Sequence, residues 1–226
     1  MQYVELQTTS NFTFLHGASH PEEYIQRAAE LEYDAIALTD HATMAGMVRA
    51  HTAAKQAGIR LIVGTHIRID LPASASNSRQ HCNVLLYPTD VASYGRLCRL
   101  ITLGRRQACK GSYRITLENV LAHQAGLLVI ALPPVHADAA FTDTLMTLKS
   151  VVDDDRLSLA MIHRYGCNDA QTLQQLAQLS RRTELAPVAV NDVLYHAPRR
   201  QRLQDVLACI RLGRTIHELG LRVIPE

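Results

Sequence analysis

The sequence predicts an α/β fold, and three observations carry that prediction. Short β-type runs alternate with amphipathic helical patterns almost from end to end. The runs are apolar enough to be covered on both faces. A length of 226 residues with 47% apolar content suffices for a large domain with a real core. Seven strand candidates separated by helices favour a closed or nearly closed barrel, with residues 1–226 as a single domain, over separate domains; a doubly wound open sheet is the alternative.

Val4 to Thr8 reads as the first strand. Ser19-His20-Pro21-Glu22 then supplies an N-cap, a proline in the first turn and a carboxylate behind it, opening an amphipathic helix to about Leu31. Ala35 to Leu38 is the second strand, and a helix from about Thr43 to Gln56 follows until Gly58 ends it. Arg60 to Val63, Asn83 to Leu86, Leu127 to Leu132, Leu157 to Met161 and Val188 to Val190 complete the strands. Helices over about 89–107, 139–152, 168–184 and 199–212 separate or follow them. Pro72 to Arg79 is rich in Ser and Ala and reads as a loop excursion, and Asp153-Asp154-Asp155 as a turn.

Composition narrows the function classes. No apolar run approaches the ~20 residues of a membrane helix, and the N-terminus lacks a signal-peptide pattern, so a cytoplasmic protein without a membrane partner is expected. Five cysteines (Cys82, Cys98, Cys109, Cys167, Cys209) are scattered and never spaced C-x-x-C, which argues against a disulfide framework or a zinc knuckle. The net charge of +2 does not by itself imply nucleic-acid binding, yet only Lys55, Lys110 and Lys149 among the 23 basic residues are lysine. Arginine suits bidentate phosphate contacts.

In α/β barrels the chemistry lies just past the strands. Here those positions carry Thr39-Asp40-His41, Gly64-Thr65-His66, His163-Arg164 and Asn191-Asp192. Carboxylates and imidazoles converging from several strands suit a metal cluster for phosphate-ester hydrolysis, while Asp, Asn and Thr also serve as ordinary turn formers and caps. No Gly-x-x-x-x-Gly-Lys phosphate loop and no Gly-x-Ser-x-Gly elbow is present.

Several ordered motifs closely resemble the N-terminal polymerase-and-histidinol-phosphatase (PHP) domain of bacterial family C polymerases. They include Ser10-Asn-Phe-Thr-Phe-Leu-His-Gly-Ala-Ser19, Ala37-Leu-Thr-Asp-His41 with Met44-Ala-Gly46, Leu61-Ile-Val-Gly64, Gly95-Arg-Leu97, Lys110-Gly-Ser-Tyr113, Val190-Asn-Asp-Val-Leu-Tyr-His196 and Arg202-Leu-Gln-Asp-Val-Leu-Ala-Cys-Ile-Arg211. Gly17-Ala-Ser-His-Pro-Glu-Glu23 and the segment from Leu194 to Leu207 look like the error-prone branch, paralogous to the polymerase III alpha subunit. The resemblance spans essentially the whole chain and implies a distorted seven-stranded (βα) barrel.

It also implies where metal ligands would lie, and there the sequence departs. The family's first His-x-His pair falls at Gln7 and Thr9, the next aspartate at His16, the strand-three glutamate at His66, the loop cysteine near Pro133 and the final histidine at Leu194. The fourth-strand histidine falls at Cys82, with His81 beside it. Only His41 and Asp192 match the ligand types. The expectation is a vestigial pocket of Gln7, Thr9, His16, His41, His66, Cys82, Asp192 and Leu194 with no catalytic residue, the competing possibility being a rewired mononuclear zinc site of His16, His41, His66, Cys82 and Asp192, with His41 and Asp192 the foremost ligands.

Arg96, Arg99, Arg105, Arg106 and Lys110, like the arginines from Arg199 to Arg214, read as contacts to nucleic acid or to a neighbouring domain. The resemblance implies a fragment of an error-prone, translesion DNA polymerase whose magnesium-dependent nucleotidyl transfer lies in other domains, the connection to them starting at about residues 212–226. Expected partners are those domains, weakly bound DNA and other mutagenesis proteins. The alternatives are a free-standing metal-dependent phosphoesterase or 3′–5′ exonuclease, and an interaction module.

Overall fold

The computed structural model describes residues 3–71, 81–135, 137–153, 155–166 and 168–219. The Pro72 to Arg79 excursion, Asp154, Cys167 and the stretch from Leu221 to Glu226 lie outside them. In chain order the elements are β1 (Val4–Glu5), α1 (Pro21–Glu30), β2 (Ala35–Leu38), α2 (Met47–Ala57), β3 (Arg60–Val63), β4 (Thr65–Asp70), β5 (His81–Pro88), α3 (Val91–Arg106), α4 (Leu117–His123), β6 (Leu127–Leu132), α5 (Ala139–Lys149), β7 (Leu157–Ile162), α6 (Asp169–Thr183), β8 (Ala186–Val190), α7 (Gln201–Leu212) and α8 (Ile216–Leu219). They fall into two compact units, one reaching Gly64 and resuming at Asp192, the other running from Thr65 to Asn191.

In the first unit β1, β2 and β3 form a parallel sheet in that order, with Ala35 opposite Val4 and Arg60. Tyr24, Ile25 and Ala28 of α1 and Met47, Ala50 and Ala54 of α2 pack on Ile36 and Leu38. Pro21 occupies the first turn of α1, as expected, but the cap is His20, whose backbone N–H donates to the Glu23 carboxylate at 2.8 Å. Ser19 is drawn away because its hydroxyl lies 2.8 Å from His196 Nδ1. Helix α2 starts at Met47 and not near Thr43, since the Thr43 hydroxyl accepts the Ala45 N–H and holds a local turn in place of the helix. Gly58 closes α2 at φ +70°, a left-handed cap that glycine adopts without a Cβ penalty.

The second unit is a five-stranded sheet ordered β4-β5-β6-β7-β8. The pairs β4/β5 and β5/β6 are antiparallel, and β6/β7 and β7/β8 are parallel. This corrects the expectation of seven strands of parallel type in one barrel: the described residues form eight strands hydrogen-bonded as two sheets. The additional strand is β4. Its run Thr65-His-Ile-Arg-Ile-Asp70 alternates buried and more exposed positions, the signature of a strand with two unlike faces. Sequence reasoning assigned Thr65 and His66 to a strand end when they begin the next strand. It also missed α4, whose first turn is closed by reciprocal bonds between Thr116 and Asn119, with Asn replacing the more usual Glu or Gln.

Ile67, Ile69, Leu86, Leu97, Leu100, Ile115, Leu145, Leu148 and Leu157 are fully buried in this unit. Coverage on both faces fails at β8, an edge strand on which Ala186, Pro187 and Ala189 are exposed. Among the described residues no helix is long and apolar enough to cross a membrane.

Helix α3 lies so close to the segment before α4 that a Cβ on Gly104 would meet Ile115 Cγ1 at 2.4 Å and the Arg114 carbonyl oxygen at 3.1 Å. Ile115 is wholly buried and has no room to retreat. Gly104→Ala is therefore expected to lower stability by roughly 1–3 kcal/mol, as overpacking does, in urea denaturation followed by circular dichroism. An unchanged midpoint would contradict this packing.

Candidate functional site

In the first unit the residues after β1 and β2 are joined by a hydroxyl-rich network. Asp40 directly follows Thr39 at the end of β2 and is only 1% exposed. Its Oδ1 accepts the Ser10 N–H at 2.8 Å and the Thr13 hydroxyl at 2.7 Å, and its Oδ2 accepts the Ser10 hydroxyl at 2.7 Å. The Thr13 hydroxyl oxygen also accepts the His41 N–H at 3.0 Å. Thr8 and Thr39 exchange two further bonds across the strands. Gly17 seats against this loop so closely that a Cβ would stand 2.3 Å from the Thr9 carbonyl oxygen. Burial raises the Asp40 carboxyl above its ordinary range, and the donors from Ser10 and Thr13 oppose that shift.

In the same unit lie six of the residues expected to line a pocket. Gln7 Nε2 donates to Asp192 Oδ1 at 2.8 Å. Gln7 and Thr9 are buried, and Gln7 Oε1 and Thr9 Oγ1 have no hydrogen-bond partner among the described residues. The His16 and His41 rings lie 5.0 Å apart at 47°. Leu15 and Ala42, beside them, hold φ of 61° and 46°, conformations that cost of order 1–3 kcal/mol outside glycine and collect at constrained sites. Burial, then the charge of Arg211, lowers the His16 pKa, so the neutral imidazole is favoured. Leu194 contributes its carbonyl oxygen, which accepts the Ala18 N–H at 2.8 Å.

The remaining site candidates belong to the second unit, and the pleat separates them. Cys82 pairs with Ile69 in the β4/β5 ladder, whereas His66 pairs with Leu85. Side chains alternate along a strand, so His66 and Cys82 point to opposite faces of the sheet. His66 Nε2 lies 3.1 Å from Asn83 Oδ1, and His81, on that same face, pairs with Asp70 at 3.1 Å. Cys82 is buried with the core face, and desolvation pushes its thiol up to about 12. Pro133 is buried after β6. Among the described residues no three His, Cys, Asp or Glu side chains gather as a ligand set.

Sequence reasoning missed Ser10, Thr13 and Asp40 as a unit; the signal was an aspartate after a strand with a Ser-x-x-Thr loop to satisfy it. Ser19, His196 and Glu23 superficially resemble a nucleophile and base. However, Ser19 is 1% exposed and its hydroxyl oxygen also accepts the His196 N–H at 3.0 Å, so the group clasps the chain.

The model of the PHP domain family matches residues 5–164, a span that runs through both units and contains every candidate position from Gln7 to Cys82. The chain belongs to the PHP domain family. This PHP domain is 41% identical over 221 residues to an error-prone DNA polymerase of Caulobacter vibrioides, covering 98% of the chain and 20% of that protein. It is 38% identical over 229 residues to one of Rhodopirellula baltica, covering 97% and 19%. It thus spans about a fifth of the length of these relatives. Two solved structures share its fold at 15% identity: a protein described as a "putative metal-dependent phosphoesterase" from Bifidobacterium adolescentis, at TM-score 0.63 over 94% of this chain and 99% of the other, and an amidohydrolase from Chromobacterium violaceum with sulfate and no metal, at 0.59 over 85% and 87%.

The Asp40 geometry makes two predictions. Asp40→Ala strands the Ser10 and Thr13 donors and is expected to lower stability by about 2–4 kcal/mol. Because the folded-state pKa of Asp40 is raised above 3.8, the folded protein holds the proton more tightly, and this group's contribution to stability falls as pH rises from 3.8 through the raised value. In thermal melts across that window Asp40→Asn should remove this slope; an identical pH profile in the variant would contradict it.

Proposed function

We propose that this PHP domain is a structural and docking domain of an error-prone, translesion DNA polymerase, with an inherited metal site that no longer has the donors for phosphoester hydrolysis. The carrying observation is the hydrogen bond from the Gln7 amide to Asp192 Oδ1 at 2.8 Å. The Gln7 amide meets Asp192 where the family's first imidazole would stand, so a neutral N–H donor faces the carboxylate at a position from which a metal ligand would come. With an amide and a hydroxyl at Gln7 and Thr9, and Cys82 buried on the sheet face opposite His66, the donor set does not fit closely spaced, fully coordinated metals. His16, His41 and Asp192 are the side chains from which a single zinc ion would have to draw.

The docking half of the proposal rests on α7. Its residues Leu203, Val206 and Ile210 follow the i, i+3, i+7 spacing of one helix face, and all are exposed, Ile210 to 59%. Exposed apolar faces of this kind mark interaction sites. Relatives five times longer supply a fitting occupant, the remaining polymerase domains; other mutagenesis proteins and a cytoplasmic setting follow from the same reading. The magnesium requirement of nucleotidyl transfer and its catalytic carboxylates likewise belong to the parent polymerase in this proposal.

The purified chain, supplied with manganese, zinc or magnesium, is expected to hydrolyse neither bis-p-nitrophenyl phosphate nor a 3′-labelled oligonucleotide above the blank, and to extend no primer. Metal-dependent hydrolysis abolished by Asp192→Ala would overturn the degenerate-site reading.

A further inference from the structure

Helix α3 and the loop after it contain no acidic residue from Val91 to Leu117, whereas six cations fall there: Arg96, Arg99, Arg105, Arg106, Lys110 and Arg114. The structure divides this set. Arg96 is committed to its own unit, donating from Nε to the Ala125 carbonyl oxygen at 2.7 Å. Arg105 instead lies over the Tyr113 ring, 5.6 Å from its centre. Tyr113 Oη accepts the backbone N–H of Arg68 at 3.0 Å, which ties the loop to β4 and brings Arg68, Arg105 and Arg114 around one tyrosine. Among the described residues Asp70 is a nearby counter-charge, and it is shared between His81 and Arg114, the latter still two-thirds exposed. Arg68, Arg106 and Lys110 are exposed as well.

From this placement we infer that the surface formed by Arg68, Arg105, Arg106, Lys110 and Arg114 around Tyr113 binds the phosphate backbone of DNA without reading base sequence. An acidic protein could meet the same charge, but a protein interface needs an apolar centre. Between Gly95 and Leu127 no large apolar side chain is exposed among the described residues. Planar guanidinium forks surrounded by small and polar residues such as Gln107, Gly111 and Ser112 match phosphates better than they match an apolar-centred partner. The stacked Arg105 is held in an orientation that a free arginine would have to give up entropy to reach. The inference rests on the polymerase reading only for the presence of DNA; the surface is independent of the metal site.

The test is fluorescence anisotropy of the whole chain with a labelled single-stranded oligonucleotide, repeated over a series of salt concentrations. The double variant Arg105→Ala/Arg106→Ala is expected to bind more weakly and to lower the log–log salt slope by roughly 0.7 for each phosphate that it no longer neutralises. Arg114→Ala should act in the same direction. Arg181→Ala/Arg182→Ala removes two exposed arginines from α6 and is expected to leave slope and affinity near those of the unmodified chain. Thermal melts confirm that each variant is folded, as these side chains are on the surface. Equal losses in the α3 and α6 pairs would reduce the effect to net charge and overturn the site, as would undiminished binding by the α3 pair or tighter binding of a poly-glutamate probe than of DNA. Metal-dependent cleavage of the oligonucleotide, with binding still weakened in the α3 pair, would instead overturn the degenerate-site proposal and leave this surface standing.

Discussion

A carboxylate buried to 1% exposure is tolerable only if its lone pairs are filled, and Asp40 fills them from one loop. Ser10 gives two donors and Thr13 a third, and Thr13 passes the connection on to the His41 backbone. The loop between β1 and α1 is thereby fixed against the end of β2. That attachment decides where Gln7, Thr9, His16 and His41 stand, and Gly17 and Gly46 are needed to let the backbone come near: a Cβ on Gly46 would lie 3.2 Å from Asp40 Oδ2. The donors to Asp40 satisfy this frame internally, while Gln7 Oε1 and Thr9 Oγ1 beside it have no hydrogen-bond partner among the described residues. Hydrogen bonds that cost several kcal/mol to strand are sufficient to preserve the shape without any catalytic demand.

Much of this was legible in the sequence, for identifiable reasons. Runs such as Ala35-Ile-Ala-Leu38 and Leu127 to Leu132 are buried strands whose composition admits few other structures, and Pro21 and Gly58 punctuate their helices as their dihedral restrictions require. β4 was hidden because it begins with Thr65 and His66, one residue after β3 ends, so the polar start looked like a strand end. Its antiparallel pairing with β5 depends on long-range register, which no local pattern encodes. The same gap affected the site. Placing Cys82 beside His66 needs the pleat, and the pleat puts them on opposite faces. The stacking of Arg105 on Tyr113 is likewise invisible in a list of arginines.

The two chemical surfaces of the chain differ in kind. In the first unit the Gln7 amide donates to Asp192, and the His16 and His41 rings face each other at 5.0 Å, side chains that meet one another. Around Tyr113 guanidinium groups gather on an exposed surface, with Asp70 a counter-charge to Arg114, an arrangement that favours an external anion. Family membership accounts for the first as an inherited location; the second follows from local sequence and packing in the Thr65 to Asn191 unit.

Calorimetric titration of the chain with zinc and with manganese measures whether Asp192, to which the Gln7 amide donates at 2.8 Å, takes a metal. The account predicts no saturable binding attributable to this site, so that Asp192→Ala titrates like the unmodified chain. Stoichiometric binding that disappears in Asp192→Ala would contradict it.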